Sequence, residues 1–171
     1  DNDMSKKILV IGPSGSGKTY VSTMLHEKGI NAVDADLLEG LSDWFNFNGE
    51  KVECPPDAGK EFLDTHRFLW SKEFLVKFLQ DQTEIYLFGM AGNAFDMINL
   101  FDKVYFLRTQ PEILAERLRH ESRKNPMGKT EYQLKNALQY AKEVEVTAHK
   151  LGIAMIDAEQ TPESIFQQLN V

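Results

Sequence analysis

The chain has 171 residues, of which 42% are hydrophobic and 26% charged, and its formal net charge at pH 7 is -7. This length fits one globular domain, and the acidic balance argues against binding nucleic acid or an anionic membrane through bulk charge. No apolar run approaches the roughly 18 residues that span a bilayer, and no signal-peptide pattern opens the sequence. The single cysteine, Cys54, excludes an internal disulfide and fits a reducing compartment. We therefore expect a cytoplasmic protein with no nucleic-acid and no membrane partner.

Short apolar runs alternate with longer stretches of helical spacing along the chain. The runs do not alternate with polar residues, which is typical of strands that are covered on both faces. Such alternation of strand and helix predicts a parallel sheet with right-handed crossovers. A weaker run over residues 31–33 is expected to add a strand, and the four clear runs are residues 8–11, 85–88, 104–107 and 153–156.

Between these runs lie capping residues and helical spacings that predict helices. Residues 20–28, 130–151 and a segment that begins with the cap Thr109-Gln110-Pro111-Glu112 are predicted helices, and Thr161 before Pro162 caps a last helix to about Leu169. Residues 59–80 are predicted to form one long helix. The residues expected to line one face of that helix are Leu63, Trp70, Phe74 and Phe78.

Two segments interrupt the repeating unit. Residues 44–58 are aromatic and then turn-forming, which predicts a small hairpin or an ordered flap. Residues 119–130 are basic, and Pro126 and Gly128 disfavour a continuous helix there. We interpret residues 4–171 as a single domain, and residues 1–3, which precede Met4, as additional to the natural chain.

The strongest motif follows the first apolar run and satisfies G-x-x-x-x-G-K-[ST] in full. Its glycines allow the backbone to curl around an anion, and the helix that follows adds its unpaired N–H groups. Lys18 would reach the β- and γ-phosphates, while Thr19 would bind magnesium. We predict a nucleotide site that ends in the first helical turn, formed by Gly12, Pro13, Ser14, Gly15, Ser16, Gly17, Lys18, Thr19 and Tyr20.

Other features narrow the class of phosphate-loop protein. The sequence contains no N-K-x-D motif, which a GTPase would use to read guanine. The run over residues 85–88 ends in Gly89-Met90-Ala91-Gly92-Asn93 rather than in the consecutive acids of a motor ATPase. These patterns favour a small-molecule kinase.

The order of these features, from Ile8 to about Leu169, resembles the small P-loop kinases that include shikimate, gluconate, dephospho-coenzyme A and nucleotide kinases. The segments FGMAGN and NPMGKT make it most similar to poorly characterised small kinase-like proteins. The resemblance implies an α/β three-layer sandwich with a five-stranded parallel sheet in the order 2-3-1-4-5. It also implies an acceptor-side lobe over residues 37–80 and a lid over residues 117–130.

Paired carboxylates follow the second predicted strand, in Val33-Asp34-Ala35-Asp36. Magnesium prefers hard oxygen ligands, and an alcohol nucleophile must be oriented for in-line attack. Shikimate-kinase-like members have a similar D-x-D, and the resemblance implies that Asp34 assists magnesium while Asp36 touches the acceptor hydroxyl. Alternatively, one aspartate caps the next helix and the other is a solvated loop residue.

The basic segment is the second indicator of chemistry. Arginine suits a transferring phosphoryl group because its fork binds phosphate oxygens bidentately. Arg117 and Arg123 fit the lid placement best, although a solvated helix face would also explain these charges. On the acceptor side, Gly89, Gly92 and Asn93 are candidate contacts. The segment Ile156-Asp157-Ala158 resembles the one that lies by the nucleotide base in these kinases.

The sequence therefore predicts a kinase that uses ATP and Mg2+ to phosphorylate a hydroxyl or phosphate of a small-molecule acceptor. The predicted catalytic residues are Lys18, Asp36, Arg117 and Arg123, and the predicted metal ligands are Thr19 and Asp34. A nucleoside monophosphate kinase is the alternative within this class. From another class, a nucleotide-binding switch or regulatory ATPase would act on a protein partner, with residues 44–58 as its docking surface.

Overall fold

The structure is a computed structural model that describes residues 5–124 and 131–171, without the side chains of residues 121–124 and 131. Residues 1–3 and part of the predicted lid, 125–130, therefore lie outside the described residues. Short 3-10 turns cover Ala35–Leu37 and Ala94–Leu100. The strands are β1 (Lys6–Ile11), β2 (Ala32–Asp34), β3 (Ser42–Asn46), β4 (Lys51–Val52), β5 (His66–Trp70), β6 (Glu84–Gly89), β7 (Lys103–Arg108) and β8 (Ala154–Asp157). The helices are α1 (Lys18–Glu27), α2 (Lys60–Thr65), α3 (Lys72–Gln80), α4 (Pro111–Lys124), α5 (Glu131–Lys150) and α6 (Pro162–Leu169).

Five strands form a parallel sheet in the order β2-β6-β1-β7-β8. Counted within this sheet alone, the order is 2-3-1-4-5, as predicted from the resemblance. The labels differ only because three antiparallel strands lie between β2 and β6 in the chain. The order places the ends of β1, β2 and β6 side by side, so the segments that follow these strands meet at one edge of the sheet.

The sheet is covered on both faces, which explains why its strands lack polar alternation. One core contains Leu9, Leu87 and Phe106 together with Leu75 from α3 and Val144 from α5. A second core, on the opposite face, contains alternate residues of the same strands, packed against α1 and α6. The α/β sandwich predicted from the sequence is confirmed.

The structure contradicts the single helix predicted over residues 59–80. α2 ends at Thr65, β5 follows directly, and α3 begins after Ser71, whose side chain accepts a hydrogen bond from the Phe74 amide. The segment His66–Trp70 is rich in aromatic residues and pairs along its full length with β3. This pairing, which joins distant parts of the chain, outweighs the local helical spacing.

β4, β3 and β5 form a separate antiparallel sheet in that order. β3 and β4 are the hairpin expected within residues 44–58, and β5 extends it to three strands. This sheet and α2 make up most of the segment between β2 and α3, which the sequence analysis assigned to the acceptor side. We refer to residues 37–80 as the acceptor-side lobe.

A hydrogen bond connects α2 of this lobe to α5. The Tyr132 hydroxyl donates a 3.0 Å hydrogen bond to Asp64 Oδ1 on α2, and Lys60 Nζ pairs with the other Asp64 oxygen at 2.7 Å. α5 in turn packs on α4 through a small apolar cluster that includes Leu118 and Ala141. Across the described part of the chain, no helix combines the length and apolar character needed to cross a membrane.

Candidate active site

The phosphate motif forms a tight loop between β1 and α1. Gly15 and Gly17 have positive φ angles of 85° and 95°, a conformation that side chains disfavour and glycine tolerates. Gly17 caps α1 without any side-chain hydrogen bond, so no side chain occupies the helix N-terminus at this cap. The first-turn N–H groups are thereby left for an anion, and the helix dipole favours negative charge at the same place.

Lys18 is curled back onto this loop. Its Nζ donates hydrogen bonds to the carbonyl oxygens of Gly12 at 2.7 Å and Pro13 at 2.8 Å. Burial lowers the pKa of Lys18 to about 8, although Asp36 and Asp34 oppose this by favouring the charged form. A buried ammonium group with only carbonyl partners is a strong attractor for phosphate oxygens.

Asp34 connects the end of β2 to the first turn of α1. Its Oδ2 accepts a 3.1 Å hydrogen bond from the Thr19 hydroxyl, and its Oδ1 accepts a 3.0 Å bond from the Asp36 amide. The second bond caps the 3-10 turn, so Asp34 has the capping role considered as the alternative and also faces the phosphate loop. A hydroxyl and a carboxylate in contact supply the hard oxygen ligands that magnesium prefers, so these residues fit the ion.

Asp36 lies close enough to Asp34 and Lys18 for both charges to act on its carboxyl group. Burial raises the pKa of the Asp36 carboxyl, the neighbouring Asp34 charge raises it further, and Lys18 opposes both effects. A carboxylate with a raised pKa is a better proton acceptor than an ordinary aspartate. Its position suits a group that receives the proton of an attacking hydroxyl.

Arg117 approaches the loop from α4. Its Nη1 donates a 2.8 Å hydrogen bond to the Gly15 carbonyl oxygen. Leu114 and Leu118, on the buried face of α4, lie under the loop, with Leu114 Cδ1 3.0 Å from where a Gly15 Cβ would stand. Arg123 belongs to the same helix, but its side chain lies outside the described residues.

These residues enclose a cavity of about 900 Å3. The cavity is lined by residues 14–19 of the loop, by Asp34 and Asp36, and by Arg117 from α4. The sequence-based predictions for the phosphate loop, the two aspartates and one arginine thus fall on a single site.

A comparison with protein families decides the classification, because residues 8–139 match the family described as AAA domain. The chain belongs to this family of P-loop proteins. The match includes the phosphate loop, both aspartates and Arg117. No curated protein matches the sequence.

Several solved structures have the same fold as this AAA domain. A shikimate kinase from Acinetobacter baumannii in complex with shikimate aligns with a TM-score of 0.60 and 17% identity, covering 97% of this chain and 93% of that chain. A deoxyadenosine kinase from M. mycoides with bound dATP aligns with a TM-score of 0.55 and 16% sequence identity, covering 96% of this chain and 100% of that chain. A gluconokinase from Sinorhizobium meliloti 1021 aligns with a TM-score of 0.52 and 18% sequence identity, covering 96% of this chain and 89% of that chain. At these identities the likeness establishes the fold of the AAA domain.

The three candidate acceptor contacts follow from the end of β6 and pack against the acceptor-side lobe. Asn93 exchanges two 2.9 Å hydrogen bonds with the backbone of Trp70, one in each direction. The Gly92 amide donates to the Phe68 carbonyl at 2.8 Å, and a Cβ on Gly89 would stand 2.6 Å from that of Ala35. In this AAA domain these residues hold β5 against the end of β6, so their direct contact with an acceptor stays a prediction.

The sequence analysis did not place Glu116, Leu118 or His120 among the site residues, yet all three line the cavity. The spacing of Arg117 and His120 by one helical turn was a signal for a shared face. The sequence predicts Thr109 as a helix cap, and its hydroxyl also donates a 3.3 Å hydrogen bond to the Ser16 carbonyl oxygen. No local pattern indicates that second contact.

Proposed function

We propose that this protein is an ATP-dependent kinase that transfers a phosphoryl group to a hydroxyl or phosphate of a small metabolite. The observation that supports this most strongly is the convergence of Lys18, the Thr19–Asp34 pair, Asp36 and Arg117 on one cavity. These are the groups that in-line phosphoryl transfer requires, since its catalysis is largely positioning and electrostatic stabilisation. The kinases of similar fold are consistent with the proposal.

In the proposed mechanism, the loop amides and the N-terminus of α1 hold the phosphates of ATP. Lys18 leaves the carbonyls of Gly12 and Pro13 and pairs with the β- and γ-phosphates. Arg117 leaves the Gly15 carbonyl and neutralises charge on the transferring group. Arg123 is proposed as a second cation from the lid, residues 117–130.

Asp36 receives the proton of the acceptor hydroxyl and orients its oxygen for attack. Thr19 and Asp34 would hold a magnesium ion, which supplies charge neutralisation on the β- and γ-phosphate oxygens. Ala158, in the segment predicted to lie by the base, lines the same cavity. We therefore propose that the backbone after β8 contacts the base.

The test is ADP formation from magnesium-ATP, measured with pools of candidate acceptors and without them. We expect a rate that depends on an acceptor, saturates with its concentration and disappears in Lys18→Met. Saturable transfer to a nucleotide would instead identify a nucleoside monophosphate kinase. ATP consumption that responds only to a protein partner would identify a regulatory ATPase and contradict the proposal.

A further inference from the structure

Two cationic side chains hold carbonyl groups of the phosphate loop. Lys18 bonds to the carbonyl oxygens of Gly12 and Pro13, and Arg117 bonds to that of Gly15. In the proposed mechanism both cations turn to ATP, because a charged phosphate oxygen accepts a stronger hydrogen bond than a neutral carbonyl oxygen. The loop then loses these supports at the moment when its amides must hold the phosphates.

Thr109, the residue that follows β7, supplies a support of another kind. Its hydroxyl donates a 3.3 Å hydrogen bond to the Ser16 carbonyl oxygen. Thr109 is only 5% exposed, Ser16 is fully buried, and the described lining of the phosphate cavity does not include Thr109. A neutral hydroxyl outside the cavity is not drawn away by a bound phosphate. This contact can therefore persist when Lys18 and Arg117 move.

The peptide between Ser16 and Gly17 converts this support into a direction for an amide. In a planar trans peptide, the C=O and the following N–H point in opposite directions. The Ser16 carbonyl is directed at Thr109, so the Gly17 N–H is directed away from Thr109. Among the described residues, no backbone carbonyl accepts a hydrogen bond from this amide, and Gly17 lines the cavity. The Gly17 N–H is thus free to donate to a phosphate oxygen.

The loop is packed closely against the end of β7 at this position. A Cβ on Gly12 would stand 2.9 Å from the Leu107 carbonyl oxygen and 2.8 Å from Ser16 Oγ. Ser16 is further held by its own N–H, which donates to the Pro13 carbonyl oxygen at 3.1 Å. Such packing leaves little room for a water molecule to replace a lost Thr109 hydroxyl. Removing that hydroxyl would leave a buried carbonyl unpaired, and a rotation of the following peptide would relieve the cost.

We propose that Thr109 is a positioning residue for the nucleotide. Its hydrogen bond to Ser16 keeps the Gly17 N–H directed at the phosphates of ATP, both before and after Lys18 and Arg117 turn to them. Thr109 does not itself touch the nucleotide. The inference rests on the proposed binding of ATP by the loop, and it does not depend on the identity of the acceptor.

Variants of Thr109 test the hydroxyl through the affinity for a phosphate probe. Thr109→Val removes the donor at nearly constant volume and should raise the Kd of magnesium pyrophosphate about tenfold. The Kd of magnesium-ADP should rise by the same factor, because the lost contact is to phosphate. Thr109→Ser retains the hydroxyl and should restore the affinity to within about twofold of the wild type. Titration calorimetry of the full chain measures each Kd.

The Gly17 amide gives a readout that a loss of stability alone would not change. In proton–nitrogen correlation spectra, saturating magnesium pyrophosphate should move the Gly17 amide proton downfield in the wild type, because a hydrogen bond forms. In Thr109→Val about half of this shift or more should be lost at saturation. Thr147→Val is the control, since it removes a similar bond, 3.1 Å from a hydroxyl to the Glu143 carbonyl oxygen within α5. It should leave both the shift and the Kd unchanged.

The outcomes separate this inference from the proposed function. An unchanged Kd and an unchanged Gly17 shift in Thr109→Val, with or without a lower melting temperature, would overturn the positioning role and leave the kinase intact. Equal losses in Thr109→Val and Thr109→Ser would also overturn it, since the hydroxyl would then not be responsible. If Thr109→Val does not fold, Thr109→Ala removes the same hydroxyl and takes its place. If the wild type binds neither pyrophosphate nor any nucleoside triphosphate, both proposals are wrong.

Discussion

The hydroxyl of Thr19 and the carboxylate of Asp34 are 3.1 Å apart, although one residue belongs to a helix and the other to a strand. Thr19 lies in the first turn of α1, and Asp34 ends β2. The contact places two side-chain oxygens next to the phosphate loop. The magnesium position that we propose is therefore set by the packing of α1 against β2.

Replacing Thr19 tests this position. In Thr19→Val the hydroxyl is lost at nearly constant volume, and we expect the magnesium concentration for half-maximal activity to rise roughly tenfold or more. Thr19→Ser retains the hydroxyl and is the matched control. The measurement is a magnesium titration of ATP-dependent stabilisation and of ADP formation. Equal magnesium dependence in both variants would contradict the assignment.

Lys18→Met should abolish nucleotide binding and yet stabilise the free protein. The pKa of Lys18 falls from 10.5 to about 8 on folding, which corresponds to a cost of up to about 3 kcal/mol for burying the ammonium group. Thermal unfolding with and without magnesium-ATP would check both effects, since a ligand specific for the folded state raises the melting temperature.

The same shift has a definite pH signature. Below pH about 8, both folded and unfolded Lys18 are protonated, and the full cost is present. Between pH about 8 and 10.5 the unfolded chain binds more protons, so this residue makes the free energy of unfolding rise with pH. The difference between wild type and Lys18→Met should shrink across that window. A difference independent of pH would be evidence against the buried ammonium group.

Asp36→Asn should lower kcat by roughly 10²- to 10⁴-fold because a general base is removed, while KM for ATP changes little. The pKa of Asp36 is raised by burial and by Asp34, so the acid limb of the wild-type rate profile should lie above the usual aspartate range. Rates measured across acidic pH would show this limb in the wild type, and its persistence in the variant would rule out Asp36 as its origin.

Arg117→Ala should reduce kcat by on the order of 10²-fold or more, because charge on the transferring group is no longer neutralised. Arg117→Lys should recover only part of the rate, since lysine lacks the bidentate fork. The nearby Arg119, exposed on the same helix, gives the control variant Arg119→Ala. Steady-state kinetics at saturating ATP would separate the two, and equal effects would indicate a general loss of positive charge.

Asn93→Ala should destabilise the acceptor-side lobe through loss of both bonds to the Trp70 backbone, by about 1–3 kcal/mol. Its effect on function should appear in KM for the acceptor more than in KM for ATP. Asn48→Ala, at an exposed turn of the same lobe, is the control. Denaturant unfolding combined with kinetics would test this, and unchanged stability would show that the paired bonds are replaced by water.

The sequence predicted those parts whose signals are local. The phosphate motif must curl around an anion wherever it occurs, and buried parallel strands are apolar on both faces, so the loop and the main sheet were both predictable. β5 was not, because its pairing with β3 joins positions that no spacing rule connects. The hydrogen bond from Thr109 to the Ser16 carbonyl gave no signal either, because it joins the end of β7 to the phosphate loop across many intervening residues.

The contact between Tyr132 and Asp64 has a consequence for how the two ligands bind. The acceptor-side lobe reaches α5 through this hydrogen bond, α5 packs on α4, and α4 carries the arginine that contacts the phosphate loop. A shift of α4 on nucleotide binding would therefore also displace α5 and the lobe that is bonded to it. We expect nucleotide and acceptor to change each other's affinity by the same factor, as thermodynamic reciprocity requires. Tyr132→Phe, which removes this hydrogen bond and keeps the ring, should make the two binding events more nearly independent.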